Sequence, residues 1–377
     1  MEIADFINQE RLVETFVELI KINAPSFRER ELGDLLARKL AKAGCEIELQ
    51  AYDRSFNLIA RKTGQDGIPP LLLSGHMDTI EPTEGITFAI EDGLIKTTGN
   101  TVLGADDKSA IAQILEVLSV LAEREIPHGD LEIVFTSAEE KGLVGAKHLD
   151  FTRLKSKYAL VLDSGGSVGN VVVGAPSHYT YEMTVKGKSA HAGMEPERGI
   201  SAIRIAANII AGIPDGRIDA ETTANVGVIQ GGTATNVVPK ETVIWGEIRS
   251  HNAETLEKTK KFILETAQRT AQMNHAHLLI TEHDEYQAFH IDKDEPILRF
   301  LAGVFTRCGI EPAFAVVGGG SDASIFNQRG MTAINMSTGM QNVHSTEELI
   351  YIKDLVNGCV VLLTAISMFR EFGKVPL

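Results

Sequence analysis

The sequence is poor in the features that mark special classes of protein. It has three cysteines in 377 residues, Cys45, Cys308 and Cys359, far apart and without C-x-x-C spacing. That pattern excludes a disulfide framework or a thiolate zinc finger and suits a reducing compartment. Positive charge is also scarce, with 36 Lys and Arg against 51 Asp and Glu and a formal net charge of −15. Nucleic acids and anionic membranes select for a basic face, so neither is an expected partner. No stretch reads as approaching the roughly 18 apolar residues of a membrane span. The opening Met-Glu-Ile-Ala-Asp lacks the basic start and apolar run of a secretory leader, so the expected location is the cytoplasm. There is no internal repeat and no low-complexity segment. What is present, 44% hydrophobic and 23% charged residues, is ordinary for a globular chain, and the length suits two domains.

The first third alternates helix and strand patterns. Leu12, Phe16, Leu19 and Ile20 recur at helical spacing over 9–23, and Leu32, Leu35, Leu36 and Leu40 over 30–43, with Gly44 placed for a C-terminal cap. Apolar runs at Leu71–Leu73, Leu131–Phe135, Ala159–Leu162 and Thr332–Met336 read as buried strands, and 106–124 as a long helix. This order predicts an α/β domain with a mostly parallel sheet covered by helices on both faces. From Tyr179 the pattern becomes β-α-β-β-α-β, the ferredoxin-like order. We therefore expect a discontinuous larger domain, 1–176 and 288–377, interrupted by an inserted α+β domain over 177–287.

Five short segments carry chemistry: Ser74-Gly75-His76-Met77-Asp78-Thr79, Gly104-Ala105-Asp106-Asp107-Lys108, Ser137-Ala138-Glu139-Glu140, Leu162-Asp163-Ser164 and Val343-His344-Ser345-Thr346-Glu347. Each has a plainer reading. Asp106 and Asp107 suit a helix N-terminus, Ser137-x-x-Glu140 matches a capping box, Asp163 before Ser-Gly-Gly fits a turn, and His344 could precede a capped helix. Together they place two histidines and several carboxylates near the carboxyl ends of strands, where an open α/β sheet gathers its ligands. That donor set suits zinc, with manganese or cobalt as substitutes. Such ions polarise a carbonyl and acidify a water, and a carboxylate outside the ligand set can then move the proton. Asp78, two residues beyond His76, is placed to orient its imidazole.

The whole chain resembles the superfamily of co-catalytic zinc peptidases that contains peptidase T, carboxypeptidase G, aminoacylase and succinyl-diaminopimelate desuccinylase. His-Met-Asp-Thr and Gly-Ala-Asp-Asp-Lys look most like its peptidase T branch. The resemblance implies two zinc ions per subunit, one held by His76 and Asp163, the other by Glu140 and His344, with Asp106 bridging and followed by a cis peptide. It implies Glu139 as general base and then acid. Ser189-Ala190-His191-Ala192-Gly193 resembles the segment whose histidine steadies the oxyanion in a neighbouring subunit's site, which implies a homodimer formed through the inserted domain. Asn236, Arg249 and the Gly318-Gly319-Gly320-Ser321 turn resemble substrate contacts, so Gly320 and Ser321 join the candidate set; Arg249 could equally be a structural ion-pair partner.

The expected activity is hydrolysis of short peptides by an aminopeptidase or tripeptidase of peptidase T type. One departure bears on substrate: Ser-Ala precedes the acidic pair here, where peptidase T carries Pro-Asp. An amidohydrolase acting on N-acyl amino acids is the nearest alternative. A non-catalytic metal- or peptide-binding protein on the same scaffold is the second, although it should lack the base or a ligand.

Overall fold

In the computed structural model, which describes residues 3–372, the chain forms two compact units. Among the described residues, one comprises 3–174, 290–316 and 321–372; the other comprises 175–289 and 317–320.

The larger unit is built on a mixed sheet. Its centre is parallel, in the order Leu131–Thr136, Leu71–His76, Tyr158–Ser164, Thr332–Ser337. These are the apolar runs read as strands, and the first two are buried along their whole length, as expected where helices cover both faces. The flanks are antiparallel and were not foreseen. A hairpin of Glu46–Tyr52 and Ser55–Lys62 adds to one side, and Asn170–Ala175 pairs antiparallel with Thr332–Ser337 on the other. Charged residues interrupt the outer hairpin strand, so it lacks the continuous apolar run that revealed the central ones.

A small antiparallel sheet, Phe88–Glu91, Leu94–Thr97, Leu349–Tyr351 and Met340–Gln341, stands apart from the large one. Its last two strands hold the 342–348 loop, which carries His344, at their turn.

The helix Ile352–Phe369 corrects one expectation. Its 18 residues and mean hydropathy of 1.6 are enough, by length and composition, to cross a membrane. It packs instead against the helices Gln9–Ile20, Ala105–Glu123 and Pro296–Arg307, burying Leu355, Cys359, Leu362, Leu363 and Ile366. Its apolar character is that of a core helix covered by protein. The three cysteines are free thiols.

The smaller unit is an antiparallel sheet in the order Gly216–Arg217, Thr222–Gly231, Glu241–Ser250, Ser177–Lys186, His277–Tyr286. The helices Ala202–Gly212 and Ala253–Met273 bury a common core of Tyr179, Met183, Ile205, Ile244, Ile248 and Ile263 against it. Along Ser177–Lys186 buried and half-buried residues alternate, the period of a strand with one covered face.

The expected domain boundaries placed 317–320 in the larger domain, and the structure assigns them to the smaller unit. The reason lies at Gly320, where an added Cβ would stand 2.3 Å from Tyr286 Cζ. Only glycine lets the backbone approach the ring that closely.

Candidate metal centre

Three parallel strands deliver the first part of the site. In the larger unit Leu71–His76 and Leu131–Thr136 are paired so that His76 lies opposite Thr136, and Leu71–His76 pairs in parallel with Tyr158–Ser164 on its other side. His76, the Glu139-Glu140 pair and Asp163 thus leave neighbouring strands at the same edge. Asp106 comes from the start of the Ala105–Glu123 helix, and His344 from the 342–348 loop.

Asp106 lies at the middle of the cluster. Its Oδ1 is 3.0 Å from His76 Nε2, and its Oδ2 is 3.1 Å from His344 Nε2. His344 Nε2 is also 3.1 Å from Glu140 Oε1, and His76 Nε2 is 3.8 Å from Asp163 Oδ1. All five ligand candidates therefore converge. Asp107 is turned differently: its Oδ2 accepts the His76 backbone N–H at 3.1 Å, and it groups with His76 and Asp163 and not with His344. The Asp106–Asp107 peptide is cis, and both residues have non-helical dihedrals. Both still stand in the first turn of that helix, where the plainer reading put them, and Asp106 faces the two imidazoles as well.

Two of the other plain readings do not hold. Ser137 Oγ lies 2.8 Å from Tyr52 Oη, and the Glu140 N–H donates to Asp78 Oδ2 at 3.2 Å, so there is no capping box. No helix follows His344; the strand Leu349–Tyr351 does.

Asp78 acts differently from the expectation. The His76 Nδ1 partner at 2.9 Å is the Asp78 backbone carbonyl, while the carboxylate Oδ1 stands at 3.5 Å. The carboxylate instead accepts the N–H groups of Glu139 at 2.9 Å and Glu140 at 3.2 Å and the Ser26 hydroxyl at 2.7 Å. It fixes the acidic pair more directly than it fixes the imidazole.

Two further carboxylates, which sequence reasoning missed, do comparable work. Glu29 accepts the N–H of Phe27 at 2.8 Å and of Ala138 at 2.9 Å, holding Ala138 in the left-handed region at φ 50°. Glu348 accepts three N–H groups from the loop that leads into Asp106. No sequence signal separates these two from surface glutamates. The Ser-Thr-Glu-Glu run after His344 does not say which glutamate turns inward.

The electrostatics follow from burial. Burial, and then the Asp163 charge, push the Glu139 carboxyl well above the ordinary range. Burial and the Asp106 charge do the same to Asp163. Burial would raise Asp106 too, but hydrogen bonds to His344 and His76 hold it low. Hydrogen bonds to Asp106 and Glu140 raise His344 to about 10. So many buried carboxylates beside two imidazoles need added positive charge to stay ionised together. Asp107 Oδ1 is buried without a hydrogen-bond partner, and two groups, His76 with Asp106 and Glu140 and His76 with Asp107 and Asp163, each bring their ligand atoms within 4.8 Å of one another. The donor set fits divalent metal.

Whole-chain comparisons show the family. An aminopeptidase PepT from Bacillus cereus is 37% identical, with 97% of this chain and 99% of that one covered and a TM-score of 0.86. The chain belongs to the M20 peptidases, in the peptidase T branch. A Staphylococcus aureus tripeptidase matches at 33% identity and a TM-score of 0.91, covering 97% of this chain and 100% of the other. The uncharacterized protein YqjE of Bacillus subtilis is 35% identical over 366 residues, 96% of this chain and 99% of its own. Family models for a peptidase dimerisation domain and for peptidase family M28 match residues 173–273 and 57–197.

The remaining M20 candidates lie outside this cluster. In the smaller unit His191 bridges to Val237, and the Ala192 N–H donates to the Asn236 carbonyl at 3.0 Å. His191 and Asn236 are thus neighbours, and both are exposed. Arg249 is engaged by Glu247 through Nε at 3.1 Å and Nη2 at 3.2 Å, and its Nη1 reaches the Gly318 carbonyl at 3.5 Å. The ion-pair alternative is what the structure contains. Ser321 belongs to the larger unit, where its buried hydroxyl accepts from Asn335 Nδ2 at 3.0 Å. Asn335 also accepts the Asp163 N–H at 2.9 Å, so Ser321 sits in the frame behind a ligand candidate. Gly320 packs on Tyr286.

Proposed function

We propose that the protein is a two-zinc aminopeptidase of tripeptidase type, acting on short peptides with a free amino terminus. The observation that carries this reading is the Asp106 carboxylate, whose two oxygens face two different imidazoles at 3.0 and 3.1 Å. A carboxylate so placed is positioned to bridge two ions. His76 and Asp163 would hold one, and Glu140 and His344 the other. Manganese or cobalt would suit the same donors. The ions supply a Lewis acid for the peptide carbonyl and lower the pKa of the attacking water.

The chain's own groups do the rest. Glu139, buried and with a raised proton affinity, takes the water's proton and returns it to the departing amine. Asp78 keeps that carboxylate in place by accepting the N–H groups on either side of the Glu139 Cα. His191 donates to the oxyanion. Its Nδ1 accepts the Gly193 N–H at 3.2 Å, which leaves the proton of a neutral ring on Nε2, the exposed donor. Asn236 lies beside it as a substrate contact. The match to a dimerisation domain and the exposed Val228 and Ile229 support a homodimer formed by the smaller unit. The free cysteines support a cytoplasmic location.

The test is a panel of tripeptides, free and N-acetylated, offered to wild type and Glu139→Ala with zinc quantified in both. Cleavage of free tripeptides by wild type alone, at equal zinc, is the expected result. Cleavage of the acetylated set only would move the protein to the N-acyl amino acid hydrolases with its chemistry intact.

A further inference from the structure

Glu348 is a buried carboxylate, 1% exposed, that the mechanism does not use. Its Oε2 accepts the N–H groups of Leu103 at 2.6 Å and Gly104 at 2.8 Å, and its Oε1 accepts that of Asp106 at 3.0 Å. Its own backbone is also committed: the carbonyl accepts from Thr97 at 3.2 Å, and the N–H donates to Ser345 at 3.3 Å. Glu348 therefore joins the strand Leu94–Thr97, the turn entering Asp106 and the loop carrying His344. The two segments it ties side chain to backbone are far apart in sequence, and each brings one ligand candidate. Gly104 takes the left-handed turn at φ 79° that glycine readily adopts, whereas His344 at φ 61° is held where a side chain is costly.

We infer that Glu348 is a positioning residue that locks the Asp106 turn to the His344 loop and sets their 3.1 Å approach before metal arrives. The inference rests on the two-metal reading above. Three donors to one carboxylate leave no room for an amide. Whichever way a glutamine side chain turned, its NH₂ would face a backbone N–H, so Glu348→Gln breaks the clamp with almost no change in volume.

The experiment measures zinc affinity by chelator competition in wild type, Glu348→Gln, His344→Ala and the double variant. Glu348→Gln should weaken one of two zinc ions by ~10–100-fold, the usual range for residues that orient metal ligands. In the His344→Ala background the same change should have little further effect, because the group it positions is gone. Two ions bound with wild-type affinity by Glu348→Gln would overturn this inference alone. An equal loss in both backgrounds would also overturn it, by making Glu348 a general support of the fold. A wild type that binds no zinc would overturn the two-metal reading and this inference together. Hydrogen exchange on unmodified protein gives the same answer should Glu348→Gln not fold. The amides of Leu103, Gly104 and Asp106 should exchange slowly with and without zinc. Fast exchange in the zinc-free protein would mean that metal, not Glu348, orders the turn.

Discussion

The two units place their polar residues in opposite ways. In the larger one, Asp78, Asp106, Glu139, Glu29 and Glu348 are buried and bound to one another's loops. In the smaller one, His191 and Asn236 lie exposed on a surface, above a core that is almost wholly apolar. A buried carboxylate is costly unless its surroundings compensate it, so a cluster of them shows that the fold has been arranged around added positive charge. An exposed histidine carries no such cost and says far less by its position. The larger unit therefore identifies its chemistry from geometry, while the smaller one relies on its likeness to relatives.

The comparison can be pressed with variants, beginning with the largest effect. Glu139→Gln should lower kcat by ~10²–10⁴-fold, the range for losing a general acid–base, with zinc content unchanged; steady-state rates on a tripeptide together with metal analysis measure both. His191→Ala should cost about 10²–10³-fold in kcat, as for an oxyanion donor, again at unchanged zinc. If turnover survives that change, the smaller unit has no part in the chemistry and the contrast between the units becomes absolute.

A third variant separates stability from catalysis. Ile263 is fully buried in the smaller unit's core, and Ile263→Ala should destabilise that unit by about 2–5 kcal/mol. Calorimetry should register the loss while zinc affinity stays put. The smallest effect concerns acid. A hydrogen bond from His178 is the main reason Glu247 is lowered to about 2 from its ordinary 4.5, with burial opposing and Arg249 assisting. A carboxylate depressed on folding contributes stability that is present above its unfolded pKa and lost as pH falls through the folded one. Wild type should therefore lose this contribution between pH 4.5 and about 2, and Glu247→Gln should flatten that part of a stability–pH curve. Curves that coincide would show that the contacts of Glu247 with His178 and Arg249 add nothing measurable.

The elements that sequence reading found are those with a strong period. The central strands and the Ala253–Met273 helix were legible because burial on both faces, or on one stripe, writes itself into residue order. The hairpin Glu46–Lys62, the strand Asn170–Ala175 and the small sheet around Leu94–Thr97 were not. They are short or mixed in polarity, and only their partners make them strands. The five segments that carry the ligand candidates were legible because most of them adjoin such an element, whereas the choice of ligand within each came from the family resemblance. Arg249 was read as a substrate contact or an ion-pair partner and Gly320 and Ser321 as substrate contacts; what the structure adds is an ion pair with Glu247, a glycine pressed on Tyr286 and a hydroxyl bound to Asn335. Residue type alone does not reveal what a side chain will find as a neighbour.

The sequence by itself determined the α/β class, the insertion of a β-α-β-β-α-β unit and the set of histidines and carboxylates able to hold metal. These depend on periodicity and on donor chemistry, which are local properties. Tertiary structure decided the rest: which of Asp106 and Asp107 faces both imidazoles, that the Asp78 carboxylate clamps Glu139 and Glu140, and that Glu29 and Glu348 turn inward to hold the loops. Those outcomes depend on hydrogen bonds between segments distant in the chain, and such bonds leave no period in the sequence.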